Sequence, residues 1–257
     1  EVSIRSDPHF VAGNGLKFDF MGAPGSIYTV YTDRRLHMNM HMIGVRGNSE
    51  RKGTWMDEIS IMFFPYYNIT VSATSPPGTP YTAAHGTVTV NGKTMKSQKL
   101  STMTRWHGLT IQRRKTRVFI TIQNLLKLEL EVVRAAFWES EDGPGNNYLN
   151  LKISALNATQ AVHGVMGQTF RETFDVTELP VKGKDGEGVI EGKAEDYIVS
   201  GMFAADCKLC TVFDGRNGWN SKVAEEDATK EISEEMHSWT GMAGADSESD
   251  EDDLAWE

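Results

Sequence analysis

Polar and apolar residues alternate with a period of two along most of this chain, and no other feature constrains the fold as much. Successive side chains of a pleated strand point to opposite faces, so such a pattern buries one face and leaves the other polar. The stretches that carry it are "KFDFMG", "IYTVYTD", "LHMNMHMIGV", "DEISIMFF", "NITVSAT", "GTVTVNG", "LTIQRR", "RVFITIQN", "LKLELEVVRA" and "NYLNLKISAL". Between them lie loop compositions such as "SPPGTPYT" (75–82) and "ESEDGPGNN" (139–147). The pattern predicts an all-β chain, an antiparallel sandwich or barrel of about ten or more strands. Helical periodicity is clearest in residues 222–239, where Val223, Ile232 and Met236 form a short apolar stripe.

This reading divides the 257 residues into a β-rich domain over 1–214, a short helical extension over 215–239 and an acidic tail over 240–257. Charge supports the division. Residues 225–257 hold 13 of the 35 acids and one base, Lys230, a net −12 against −9 for the whole chain, which leaves +3 on the first 224 residues. A near-neutral body does not supply the clustered cations that nucleic acid requires. The single basic cluster, "QRRKTR" (Gln112 to Arg117), reads as a solvated hairpin turn. The segment "SESDEDD" (Ser247 to Asp253) is too acidic to fold alone and serves either solubility or an electrostatic clasp on a basic partner. No run of about 18 apolar residues is present, so no membrane span is expected.

Motifs for catalysis are missing. The sequence contains no GxSxG elbow, HExxH helix, GxxxxGK loop or GxGxxG turn. In "LHMNMHM" (Leu36 to Met42), a strand would place His37, Asn39 and His41 on one face and Met38, Met40 and Met42 on the other. Residues at i and i+4 on a strand lie roughly 13 Å apart, too far to share one ion. A methionine core face under a polar outer face is therefore expected. Asp57 and Glu58 point to opposite faces of a strand. Cys207 and Cys210, spaced "CKLC" between two apparent strands, favour a local disulfide in an oxidising compartment, with free or metal-bound thiols as the alternative. Sequons at Asn68 and Asn157 are compatible with secretion and glycosylation. The chain opens on Glu1 rather than Met, for which a cleaved secretory leader is one explanation.

"DPHF", the glycines that follow it, and "FDFMG…GSIYTVYTD" together resemble the opening of von Willebrand factor type D domains. "VHGVMGQTFRETF" (Val162 to Phe174) and "DYIVSGMFAADCKLCTVF" (Asp196 to Phe213) resemble the end of the plant root cap family, often labelled late-embryogenesis-abundant-like and related to that module. The resemblance implies a secreted, non-enzymatic β module of the cell wall or matrix. It also implies a calcium site with Asp7, Gln168 and Asp175 as the nearest candidates. The sequence departs from that module where Gln168, Thr169 and Arg171 replace small oxygen donors, and where Arg5 and Ser26 stand near the positions of framework cysteines.

Two function classes follow. One is an extracellular structural or binding module that associates with itself, with other matrix proteins or with wall polysaccharide, through strand edges or through aromatics such as Tyr66, Tyr67, Trp219 and the "RWHG" stretch (105–108). The other is a metal- or cofactor-dependent enzyme using His9, His37 or His41. In "SDPHFVAGNGLKFDFMG" itself, Pro8 restricts Asp7 to extended conformations, Gly13 and Gly15 permit a tight turn, and Phe18 and Phe20 enter the core, leaving Asp7 and His9 for chemistry.

Overall fold

The computed structural model describes residues 2–5, 8–13, 15–45, 53–75, 85–95, 101–106, 108–135, 146–174 and 186–217, with backbone alone for 101–106 and 217. The helix expected over 222–239, the acidic tail, Asp7, Asp175 and Trp219 lie outside the described residues.

Alternation produces strands wherever it is sustained. The described residues form β1 (Val2–Arg5), β2 (His9–Val11), β3 (Lys17–Asp19), β4 (Ile27–Thr32), β5 (Leu36–Ile43), β6 (Trp55–Phe63) and β7 (Tyr67–Ser72). They continue with β8 (Thr87–Val90), β9 (Lys93–Thr94), β10 (Ser101–Trp106), β11 (Leu109–Arg114), β12 (Arg117–Ile122), β13 (Leu126–Val133) and β14 (Tyr148–Leu156). Two antiparallel sheets result. The larger has the order β10-β11-β12-β13-β14-β1-β2-β3 and the smaller β4-β5-β6-β7-β8-β9. Among the described residues no strand pairing joins them, so the fold is a sandwich and the barrel expectation is corrected: the chain crosses from β3 to β4 instead of closing the sheet.

One apolar core fills the space between the sheets. From the smaller sheet come Val30, Met38, Met40, Met42, Ile59, Ile61, Ile69 and Val71, and from the larger Phe10, Ile111, Ile120, Leu128, Leu130, Leu149 and Leu151, all at 3% exposure or less. Each side chain of this size stabilises the fold by about 1.5–3 kcal/mol on full burial. The methionine face of β5 is thus core. In β11 and β12 the alternation is clean, and "QRRKTR" turns through Lys115 at φ 53° and Thr116 between them.

The sandwich has two ends. One carries the turn 33–35 between β4 and β5, the turn 64–66 between β6 and β7, and Asn91–Gly92 between β8 and β9, since Leu36 pairs with Phe63, Phe63 with Tyr67, and Asn91 bonds Asn68. The opposite end carries the entry to β8 and the β11–β12 turn, because Arg113 reaches the carbonyls of His85 and Gly86.

After β14 the chain forms no further strand among the described residues. It runs as turns and short 3-10 segments at Gly167–Phe170, Ala194–Tyr197, Cys210–Val212 and Asp214–Asn217. The strand, turn, strand reading of the segment around Cys207 and Cys210 is corrected accordingly. Its apolar residues are held by packing against another face and need no ladder of their own.

Candidate functional site

The segment after β14 seals the smaller sheet in two ways. First, it occupies the free edge of β4. Thr32 and His163 exchange backbone hydrogen bonds, the amides of Val165 and Met166 donate to the carbonyls of Thr29 and Val30, and that of Val199 donates to Ile27. The close approach requires Gly164, whose φ is 105° and where a Cβ would meet the Val30 carbonyl oxygen at 2.6 Å. Second, residues 199–213 lie across the outer face of β4, β5 and β6 as a cap. Val199, Cys207 and Cys210 are buried there, with Ile27, Ala204 and Ala205 against them. Cys207 and Cys210 form a disulfide, Cα atoms 5.1 Å apart.

Beneath the cap lies a polar layer with no exposed surface. Thr29, Thr32, His37, Asn39 and Ser60 are each at 0% exposure. Buried polar groups persist only when bonded, and here they are. Asn39 is the hub. Its Oδ1 accepts from Thr29 Oγ1 at 2.9 Å and lies 2.8 Å from His37 Nε2, while its Nδ2 donates to the carbonyls of Met202 at 3.0 Å and Ala204 at 2.8 Å. Ser60 Oγ also donates to the Met202 carbonyl. Because Asn39 turns its oxygen to the ring, His37 carries its proton on Nε2, and Nδ1 accepts from Thr32 Oγ1 at 2.9 Å. Phe213 closes the layer, its ring centroid 5.1 Å from that of His37. Burial pushes the His37 pKa down to about 4, opposed by its bond to Asn39 and by the nearby Asp206 carboxylate. Thr29 Oγ1 also sits 3.3 Å from Cys210 Sγ, so the disulfide rests directly on the layer.

The sequence places His37, Asn39 and His41 on one outward face, which is where they are. That this face would be covered was not anticipated, and His41 alone retains access. His41 Nδ1 lies 2.6 Å from Asp57 Oδ1. Burial raises the pKa of both Asp57 and Glu58, the negative charge of Asp57 adding to the effect on Glu58. His9 pairs with Asp19 at 2.7 Å, and His163 with Glu191 at 3.1 Å. Among the described residues no hydroxyl or thiol is bonded to His9, His41 or His163, so these histidine–carboxylate pairs have no attached nucleophile. Also among the described residues, no group of three or more histidine, cysteine, aspartate or glutamate side chains is arranged to hold a metal.

Gln168 is fully buried. Its Nε2 donates to the Gly164 carbonyl at 3.0 Å and to Tyr197 Oη at 2.9 Å, and its oxygen accepts from the Glu191 amide at 2.8 Å. The side chain is a clasp between two parts of the sealing segment, and the Glu191 amide occupies its oxygen. Asp7 and Asp175, the other residues implied for calcium, lie outside the described residues. Asn157 is exposed just beyond β14, with Nδ2 donating to the Asn124 carbonyl at 3.3 Å. Asn68 is half-buried on β7, its amide oxygen buried and unbonded. Of the aromatics proposed for sugar stacking, Tyr67 is 8% exposed, Tyr66 is half-buried under Arg35, and the side chain of Trp106 lies outside the described residues. Phe203, on the cap, is 47% exposed and was not singled out from the sequence.

The cap and seal could have been sought in the sequence by one signal: Thr29, Asn39 and Ser60 are small polar residues at facing positions of three consecutive strands. Such a row can bond a passing backbone.

A family model described as Root cap matches residues 153–212. The match covers the end of β14, the β4 edge seal and nearly all of the cap, so the part of this chain that is similar to the family is the covering segment rather than the sandwich. No curated protein matches the chain.

Proposed function

We propose that this chain is a secreted, non-enzymatic structural or binding module of the cell wall or matrix, related to root cap proteins and, more distantly, to von Willebrand factor type D domains. It works by associating with itself or with a wall polymer. The observation that carries the reading is the disulfide-closed cap over the His37 layer. A disulfide belongs in an oxidising compartment, and the cap removes His37 and Asn39 of the histidine-rich stretch from solvent, leaving only His41 accessible. The two-sheet antiparallel architecture and the match to the Root cap model over 153–212 support the same reading.

Association uses main-chain hydrogen bonds at a sheet edge. The β4 edge is sealed, β9 has two residues, and β3 has three, with the Asp19 carbonyl taken by the Gly186 amide. β10, six residues long and paired only with β11, is the longest edge that the described residues leave open, and strand addition there extends the larger sheet. Purified protein from a secretory host is expected to sediment as an oligomer or to be retained by insoluble wall polysaccharide, and a proline at Thr102 or Thr104 should abolish the oligomer by blocking β10. A monomer that binds no polymer, or a protein retained inside the cell with reduced thiols, would refute the proposal.

A further inference from the structure

The β11–β12 turn carries cations, Arg113, Arg114 and Lys115, for which the described residues provide no counter-charge. Arg113 is 4% exposed, its Nη2 donates to two carbonyls, those of His85 at 2.9 Å and Gly86 at 3.0 Å, and its Nε has no partner. Arg114 lies with its guanidinium carbon 5.8 Å above the Phe119 ring, and Lys115 is exposed at the tip with φ 53°. Arg117 alone is matched to acids, with Glu129 at 3.3 Å and Glu131 at 3.5 Å. Among the described residues no carboxylate pairs with Arg113, Arg114 or Lys115. Arg113 shares the inward parity of Leu109 and Ile111 and is spent on the carbonyls of His85 and Gly86, so the cations the turn presents to solvent are Arg114 and Lys115.

We infer that this turn is a docking surface for an extended acidic segment, and that its occupant is Ser247–Asp253 of the same chain. Three arguments select that occupant. "SESDEDD" places five carboxylates in seven residues and belongs to a region of net −12, against +3 on the remainder. The sequence can also reach. The turn lies at the end of the sandwich opposite Asp214, whose amide bonds the Arg34 carbonyl, and the nine residues of β6 or β14 set that distance at about 30 Å. Thirty residue-to-residue steps lead from Asn217 to Ser247. They span up to about 100 Å if extended, and about 65 Å if residues 222–239 are helical. Tethering then gives an effective concentration of order millimolar, which favours a chain's own segment over a neighbour's. The competing acids, Glu139, Glu141 and Asp142, follow β13 in the sequence but number only three.

Zero-length carbodiimide coupling of the full chain tests this, since it condenses the Lys115 amine with a carboxylate in direct contact and releases water. The Lys208–Asp196 pair, at 3.1 Å, is the internal standard. At about 20 mM salt Lys115 should be joined to the 248–253 carboxylates within one polypeptide, and at about 500 mM salt the link should be lost. Coupling of Lys115 to residues 139–142, coupling between isotopically distinct copies, or no coupling beside a linked standard would each overturn the assignment. As a second measurement, Arg114→Gln with Lys115→Gln should speed glutamyl-endopeptidase cleavage after Glu248 and Glu251 by about fivefold or more at low salt. An unchanged rate would overturn it as well. The inference stands apart from the assembly proposal, since an oligomer without this link and a linked monomer are different outcomes.

Discussion

The outer faces of the two sheets begin from the same alternating pattern and end in opposite states. On the larger sheet the outward residues of β12 and β13 include Arg117, Lys127, Glu129 and Glu131, which remain in contact with water and form loose ion pairs at 3.3 and 3.5 Å. On the smaller sheet the outward Thr29, His37, Asn39 and Ser60 are wholly covered, and each finds a specific partner. Alternation fixes which side chains face away from the core. It does not fix whether that side meets solvent, because the covering segment comes from elsewhere in the chain. The energetic stakes differ as well. Exposed ion pairs contribute little, whereas a buried polar group deprived of its partner bears its full desolvation penalty.

The comparison is broken most directly at Asn39. Asn39→Ala strands His37 Nε2, Thr29 and the carbonyls of Met202 and Ala204, and is expected to cost about 3–5 kcal/mol in urea unfolding. A loss below about 1 kcal/mol would show that the two faces do not differ as argued.

Acid titration comes next in size. The folded pKa of His37, about 4, lies below its ordinary 6.5, so the unfolded chain takes up the proton first. The contribution is complete above pH 6.5 and is lost as pH falls toward 4, amounting to about 3 kcal/mol. Asp57 and Glu58, with raised pKa values, act with the opposite sign, their contribution falling as pH rises through the carboxylate range. The measurement is therefore the difference in stability between the native chain and His37→Gln across pH 4 to 7. Parallel curves would remove His37 from the account.

Replacing both cysteines by serine opens a short loop and should cost about 2 kcal/mol. Its sharper signature is hydrogen exchange: amides at 199–213 should exchange faster while those of β12 and β13 are unchanged. On the other sheet, Arg117→Gln should shift stability by less than about 1 kcal/mol, with the effect vanishing in high salt.

Much of the sandwich was legible because its signal is local. Ten alternating stretches correspond to strands, although "KFDFMG" pairs only as far as Asp19, and Phe20 leaves the ladder for the core. Val2–Arg5, His9–Val11, Lys93–Thr94 and Ser101–Trp106 were not picked out, the first three being too short to show a period. The candidate site was half legible. The side chains of "LHMNMHM" divide between two faces as their period requires, but what bonds Asn39 is the carbonyl of Met202, more than 160 positions away. Periodicity carries no trace of such a partner. Gln168 shows the same limit: its bonds to Gly164, Tyr197 and Glu191 tie turns together, and the residues beside it in the sequence do not announce the partners at 191 and 197.

The seal on β4 bears on the order of events during synthesis. β4 leaves the ribosome roughly 130 residues before His163 and Val165 arrive to occupy its edge, a wait on the order of ten seconds at usual elongation rates. Throughout that interval the nascent sandwich presents an unguarded row of amides and carbonyls, the kind of template on which neighbouring chains nucleate aggregates. Chains truncated before residue 163 should therefore be aggregation-prone, and the covering segment, which emerges after every strand it protects, would act for its own sandwich as a built-in chaperone.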